Sequence, residues 1–220
     1  SLRRIDISRN NIVTFYTDMK LPNLLELICN DNRLAEFTSS ILNCPSLRVI
    51  LAWNNRMTTI SLPICSLPKL QRLELQHNLI SSVPDQVGSL NTLIYLELSS
   101  NHLYTMPTAM YQMTSLQSIA FENNRLDAYL GPVAKQGVSI FLKYMESCFH
   151  VEMTETIHLG EHGLETFPIH LCQQTSVTDL SLLNNSIPKI PNEISWLKNL
   201  SKLNLRKNKL KTLPESLSKC

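Results

Sequence analysis

One residue slot constrains this chain more than any other feature. Asn occupies positions 10, 32, 55, 78, 101, 124, 185 and 208, and His162 falls in the same series. The successive steps are 22, 23, 23, 23, 23, 38, 23 and 23 residues, the odd step being one period plus 15. An apolar frame travels with the slot, of the form L-x-x-L-x-L-x-x-N-x-L. Leu70, Leu73, Leu75, Asn78 and Ile80 fill it, as do Leu93, Leu96, Leu98, Asn101 and Leu103. Further copies run over Leu2–Ile12, Leu24–Leu34, Leu47–Met57, Leu116–Leu126, Val177–Ile187 and Leu200–Leu210, with a degenerate copy over Thr154–Leu164. A fixed period of this length means coils that stack on one another, because no single coil can bury its own apolar face.

The chemistry of the frame predicts the shape of each coil. Apolar residues at its fourth and sixth positions alternate, which specifies a short strand with one buried face. The ninth position needs a side chain that satisfies main-chain groups where the strand turns inward, and Asn carries both a donor and an acceptor. Val83-Pro84, Met106-Pro107, Phe167-Pro168, Ile190-Pro191 and Leu213-Pro214 recur in the second half of the coil. Proline there pre-sets a turn or a single helical twist on the side opposite the strands. The expected fold is an α/β solenoid: an open, curved arc of nine repeats with a parallel sheet on its concave face.

These residues form a leucine-rich repeat pattern, and the resemblance extends over all nine repeats. The 23-residue form resembles the intracellular type found in Ras–Raf scaffold proteins, plant Ras-group repeat proteins and the Roco kinases. That resemblance implies a cytoplasmic protein whose partners are small GTPases, kinases or phosphatases.

Composition agrees with a scaffold and excludes other classes. Leu occurs 37 times and Asn 19 times among 220 residues, whereas Gly occurs 5 times. Hydrophobic residues make up 43% of the chain, which excludes a disordered segment. No apolar run approaches the roughly 18 residues that a membrane-spanning helix requires. Neither GxGxxG nor GxxxxGK[ST] occurs, so no phosphate-cradling loop is present. Both ends fall inside the repeat register without a polar capping unit, which points to an excerpt of a longer repeat protein.

Residues 1–126 hold repeats one to six, 127–153 an insertion, and 154–220 repeats seven to nine. Within the insertion, Ile140, Phe141, Tyr144, Met145 and Cys148 share one helical face over Gly137–Phe149. The spacing predicts an amphipathic helix of about three turns, with Pro132 and Gly137 punctuating its approach. Pro132, Gly137, Leu142, Tyr144 and Met145 are similar to a packing segment that follows late repeats in the family. The expected role is a splint on the convex side or over the edge of repeat six. The alternative is a docking element or a boundary between two sub-arrays.

The six cysteines occupy apolar slots: Cys29 at the sixth position, Cys44 and Cys220 at the twenty-first, and Cys148 on the apolar helix face. They read as small buried hydrophobes in a reducing compartment rather than as disulfides. His150, His158, His162 and His170 cluster in sequence, but HLGEH has the wrong order for HExxH and falls on strand and turn. His162 replaces the ladder Asn, since imidazole also donates and accepts. No G-x-S-x-G elbow, kinase signature or supported carboxylate pair occurs. The sequence therefore predicts no enzyme, no metal and no cofactor.

Function then falls to the side chains at the third, fifth and seventh positions, which point out from the sheet. Ile28, Val49, Leu51, Trp53 and Tyr95 are apolar residues at such positions. Arg48, Arg56 and Arg72 border them, and Glu74, Glu97 and Glu122 continue the row. A contiguous apolar patch left in water marks a binding site, and Trp, Tyr and Arg are favoured interface anchors. Basic residues gather at the two ends of the chain, without the continuous stripe and interleaved aromatics that nucleic acid requires. The expectation is a non-catalytic interaction module, a scaffold or adaptor that binds a protein partner on this face. A regulatory segment of a larger signalling enzyme and an extracellular receptor arc are the alternatives.

Overall fold

Each copy of the frame forms a three-residue strand over its third to fifth positions. Counting the two short strands on the opposite side of the coils, the strands are β1 (Arg4–Asp6), β2 (Thr14–Phe15), β3 (Glu26–Ile28), β4 (Glu36–Phe37), β5 (Val49–Leu51) and β6 (Arg72–Glu74). They continue as β7 (Tyr95–Glu97), β8 (Ser118–Ala120), β9 (Thr156–His158), β10 (Asp179–Ser181) and β11 (Lys202–Asn204). The structure, a computed structural model, describes residues 2–16, 18 and 20–220; the side chains at 127–129, 150–153, 170 and 173 lie outside the described part.

The chain forms two compact units, Ser1–Asp127 and Ala128–Cys220. In the first, β1, β3, β5, β6, β7 and β8 make a six-stranded parallel sheet in that order. In the second, β9, β10 and β11 make a three-stranded parallel sheet. The register is strict: Val49, Arg72, Tyr95 and Ser118 face one another in turn, as do Leu51, Glu74, Glu97 and Ala120. Leu27, Ile50, Leu73, Leu96, Ile157 and Leu180 at the fourth position are fully buried, as are Cys29, Ala52, Leu75, Leu98, Leu159 and Leu182 at the sixth.

The ninth-position side chains tie each coil to the one before it. Asn101 Nδ2 donates to the carbonyls of Leu75 (3.0 Å), Leu98 (2.9 Å) and Ser99 (3.3 Å), and Oδ1 accepts the Ile80 N–H at 2.9 Å. Asn55, Asn78, Asn124 and Asn185 repeat this pattern. One feature of the turn has no signature in the sequence. The residue before each ladder position adopts a left-handed backbone: Arg9, Asp31, Asn54, His77, Ser100, Asn123, Glu161, Asn184 and Lys207 have φ between 53° and 64°. For a residue with a Cβ this conformation costs about 1 kcal/mol, less for Asn and Asp. Lys207→Gly is therefore expected to stabilise the second unit by about 0.5–1 kcal/mol in urea unfolding; a loss of stability contradicts this account.

Short 3-10 turns return the chain on the far side. Pro84, Pro107, Pro168, Pro191 and Pro214 stand at their starts, with φ between −68° and −75°. In the third repeat a four-residue helix, α1 (Leu62–Cys65), takes the place of such a turn. Successive turns pack so closely that a Cβ on Gly88 falls 2.5 Å from the Ala109 carbonyl oxygen.

The extra residues form two helices, α2 (Asp127–Ala134) and α3 (Val138–Thr154), joined through Gly137 at φ 112°. Pro132, ahead of α3, lies inside α2. The helix α3 is longer than the expected three turns, because no Gly or Pro interrupts the run to Thr154. Phe141, Tyr144 and Met145 are buried, and Ile140 and Cys148 are half-buried. The helix packs against β9, the strand that follows it. Glu155, at φ 53°, turns the chain directly from helix to strand.

Candidate functional site: the open face of the six-stranded sheet

The outward side chains of β3, β5, β6 and β7 are brought onto one face by the parallel register. Along the fifth position this gives the row Ile28, Leu51, Glu74, Glu97, and along the third Glu26, Val49, Arg72, Tyr95. Trp53, Gln76, Ser99 and Glu122 continue at the seventh position just beyond the strands. The structure thus brings the sequence-predicted residues together, with differences in exposure. Ile28 is buried at 6% exposure instead of projecting into water. It sits in register between Asp6 and Leu51, and side chains along a row of parallel strands lean on their neighbours. Val49, Leu51, Trp53 and Tyr95 are half-buried, and Arg48, Arg56 and Arg72 are exposed.

Asn30, another seventh-position residue, is also turned in. It is buried, and its Oδ1 accepts the main-chain N–H of Trp53 at 3.1 Å. This contact fixes the start of the loop that carries Trp53. A buried Asn outside the ladder is invisible to the period, because the seventh position is otherwise variable.

The acidic half of the face is held by its own hydrogen bonds. Arg72 pairs with Glu74 through both its Nε, at 2.7 Å, and its terminal nitrogen, and its guanidinium lies 4.4 Å from the Tyr95 ring centre. The Tyr95 hydroxyl donates to Glu97 at 3.1 Å, and Glu97 also accepts the Ser99 N–H at 2.9 Å. Ser99 Oγ donates to Glu122 at 2.8 Å. Burial, then the charges of Glu97 and Glu74, raise the Tyr95 hydroxyl above its ordinary value, so it remains a donor at neutral pH. Gln76 donates to Glu74 at 3.5 Å, while its Oε1 is buried without a partner. The face is pre-ordered, which lowers the entropic cost of binding.

The thiols behave as core atoms. Cys29, Cys44, Cys65 and Cys172 are buried, Cys148 and Cys220 are half-buried, and all six are free. Burial pushes Cys29, Cys148 and Cys172 up to about 12 and Cys65 to about 11. None is a nucleophile at neutral pH. His162 is buried with Nδ1 2.7 Å from the Gly160 oxygen, and its Nε2 lacks a hydrogen-bond partner. Desolvation, reinforced by Lys143, lowers its basicity against the opposing hydrogen bond to Gly160, so it is neutral at pH 7. His158 is exposed on β9, whereas the side chains of His150 and His170 lie outside the described residues. Among the described residues no three His, Cys, Asp or Glu side chains are placed to hold a metal. No helix among them is long and apolar enough to cross a membrane.

Known sequence families match the same frame. Models described as leucine rich repeat match residues 68–126 and 199–220, and a two-copy leucine rich repeat model matches residues 45–87. The chain is a leucine-rich repeat protein. The parallel sheet of each unit fits the solenoid fold of that family, and leucine-rich repeats generally serve as non-catalytic protein–protein interaction modules. Solved structures of the same kind include a leucine-rich repeat protein of Leptospira interrogans, at 25% identity and TM-score 0.48, covering 90% of this chain and 64% of that one. Another is a plant peptide hormone receptor in complex with RGF2, at 24% identity and TM-score 0.49, covering 94% and 32%. A third is the Arabidopsis receptor kinase HAESA in complex with the peptide hormone IDA and the co-receptor SERK1, at 22% identity and TM-score 0.48, covering 98% and 32%. The leucine-rich repeat chain described here thus spans less than two thirds of the length of each.

Proposed function

We propose that this leucine-rich repeat chain is a scaffold or adaptor module that holds a protein partner on the open face of β3 to β7. The observation that carries this reading is the half-buried apolar ridge of Val49, Leu51 and Trp53 beside the ordered Arg72–Tyr95 stack. Flat sheet faces of soluble proteins are ordinarily covered by polar groups, and a ridge of this kind is best explained by a surface that is covered in use. Trp, Tyr and Arg are the side chains that supply most binding energy when a partner excludes water from them. Six free thiols in apolar slots support a reducing, cytoplasmic setting for the chain. Small GTPases, kinases and phosphatases are the partner classes to test first, on the strength of the repeat's resemblance to signalling scaffolds.

The test is capture of partners from cell lysate by the native chain and by a Trp53→Ala, Tyr95→Ala double variant. Each truncation of an interface anchor costs about 2 kcal/mol or more, so the double variant is expected to lose capture altogether. Its circular dichroism and unfolding midpoint should remain close to native, since neither side chain belongs to the core. Trp196→Ala, at an exposed position on a far-side turn, should leave capture intact. Capture that survives the double variant and disappears with Trp196→Ala places the site on the opposite side of the coils.

A further inference from the structure

We propose that the occupant of this face is an extended peptide segment in which a Lys or Arg side chain follows or precedes an apolar anchor by three or four residues. The proposal rests on the reading of the face as a docking surface and adds the chemistry of what docks. It comes from the charges that the face leaves unmatched. In the neighbourhood of Tyr95, Glu74 has a cation, since Arg72 is paired with it. Glu97 and Glu122 have none among the described residues: their recorded partners are the hydroxyl of Tyr95 and the N–H and hydroxyl of Ser99. All of these are neutral donors. The third to seventh positions of repeats four to six thus carry one Arg against three Glu, a local charge of −2.

The hydroxyl and N–H donors that meet these two carboxylates bring no positive charge of their own. The donors fix where those charges stand without cancelling them, so the arrangement is an ordered receptor for a cation. The buried acceptor of Gln76 lies in the same row, between Trp53 and Ser99, and it too lacks a donor. The unmet demand of this half of the face is for donors and positive charge, whereas the demand of the other half, around Leu51 and Trp53, is for apolar surface.

The parallel register sets the distance between the two halves. Leu51 and Glu97 are separated by two strand spacings along the fifth position. Trp53 and Glu122 are separated by three along the seventh. At about 4.8 Å per strand these intervals are roughly 10 and 14 Å, and an extended chain advances about 3.4 Å per residue. A segment lying across the strands therefore meets both halves when its apolar and basic residues are three or four apart. Acidic segments are disfavoured at the same place, so the face selects partners by charge as well as by fit.

The experiment uses two pools of fluorescein-labelled synthetic peptides and the intact chain. Both pools carry one fixed Leu, with Arg in one pool and Glu in the other fixed about four positions away, and the remaining positions are randomised. Fluorescence anisotropy is read in about 0.1 M salt and again in about 0.5 M salt. The Arg pool is expected to bind at least about tenfold more tightly than the Glu pool, with the difference shrinking at the higher salt. Glu97→Gln with Glu122→Gln, which keeps side-chain size, is expected to remove that preference while leaving residual apolar binding. Trp53→Ala is expected to weaken both pools. Equal binding of the two pools, or a preference that persists in the double Gln variant, overturns the proposed chemistry while the docking face stands. Tight binding unaffected by Trp53→Ala overturns the docking face itself, and absence of any Arg-pool binding overturns the proposal. Circular dichroism of each variant separates these outcomes from loss of fold.

Discussion

Asn101→Ala is expected to lower the stability of the first unit by about 3–4 kcal/mol. The carbonyls of Leu75, Leu98 and Ser99 each lose a donor, but each keeps another, from Asn78, Asn124 and the His77 N–H. The Ile80 N–H has only the Asn101 oxygen as its recorded partner. Removing it strands a buried donor, which alone costs about 1–3 kcal/mol, and the weaker losses at the carbonyls and the space left by the amide add to that. Urea unfolding followed by circular dichroism gives the difference directly. Asn10→Ala is the internal comparison: that side chain is exposed and donates only to Ile7 and Ser8. Its loss should cost about 1 kcal/mol or less. Similar costs at the two positions would refute the ladder account, in which the bond to the preceding coil is what matters.

Tyr144→Ala is expected to cost the second unit about 3–5 kcal/mol, the usual range for truncating a buried aromatic side chain. Tyr144 is 1% exposed and meets the His162 ring edge-on, with centroids 6.1 Å apart. It is the largest fully buried side chain on α3, so its removal loosens the contact of the helix with β9. Two readouts follow that a purely global loss does not produce. Amide hydrogens of β9 should exchange faster than those of β10 and β11. The His162 imidazole, held below its ordinary value mainly by burial, should titrate at higher pH once water reaches it. Unchanged His162 titration by NMR in the folded variant would show that Tyr144 does not shield that ring.

The difference between these two variants also marks the limits of sequence reading. Asn101 was identifiable from spacing alone, because a ladder slot recurs with a fixed chemical demand. The 3.6-residue period puts Tyr144 on the buried helical face, where Phe141, Tyr144 and Met145 are all covered. Its target was not legible. An amphipathic stripe states that a face must be covered but not by what, and in the fold the helix packs against β9. The left-handed turn residues show the converse. Arg9, Glu161 and Lys207 have no preference for positive φ, yet each adopts it because the adjoining ladder position holds the backbone there.

The candidate site divides along the same line. The period, the strands, the buried fourth and sixth positions and the identity of the residues that share the open face are all legible along the chain. Those follow from local rules repeated in register, and repetition makes a weak local signal strong. Which outward residues remain accessible is set by the stacking of the coils. Ile28 and Asn30 are covered by what stands beside them in neighbouring coils, and Glu97 and Glu122 are fixed by Tyr95 and Ser99 rather than by a cation. Accessibility and charge balance on a sheet face are properties of residues about one period apart. A reading along the chain lists such residues, and only stacking the coils shows which of them meet.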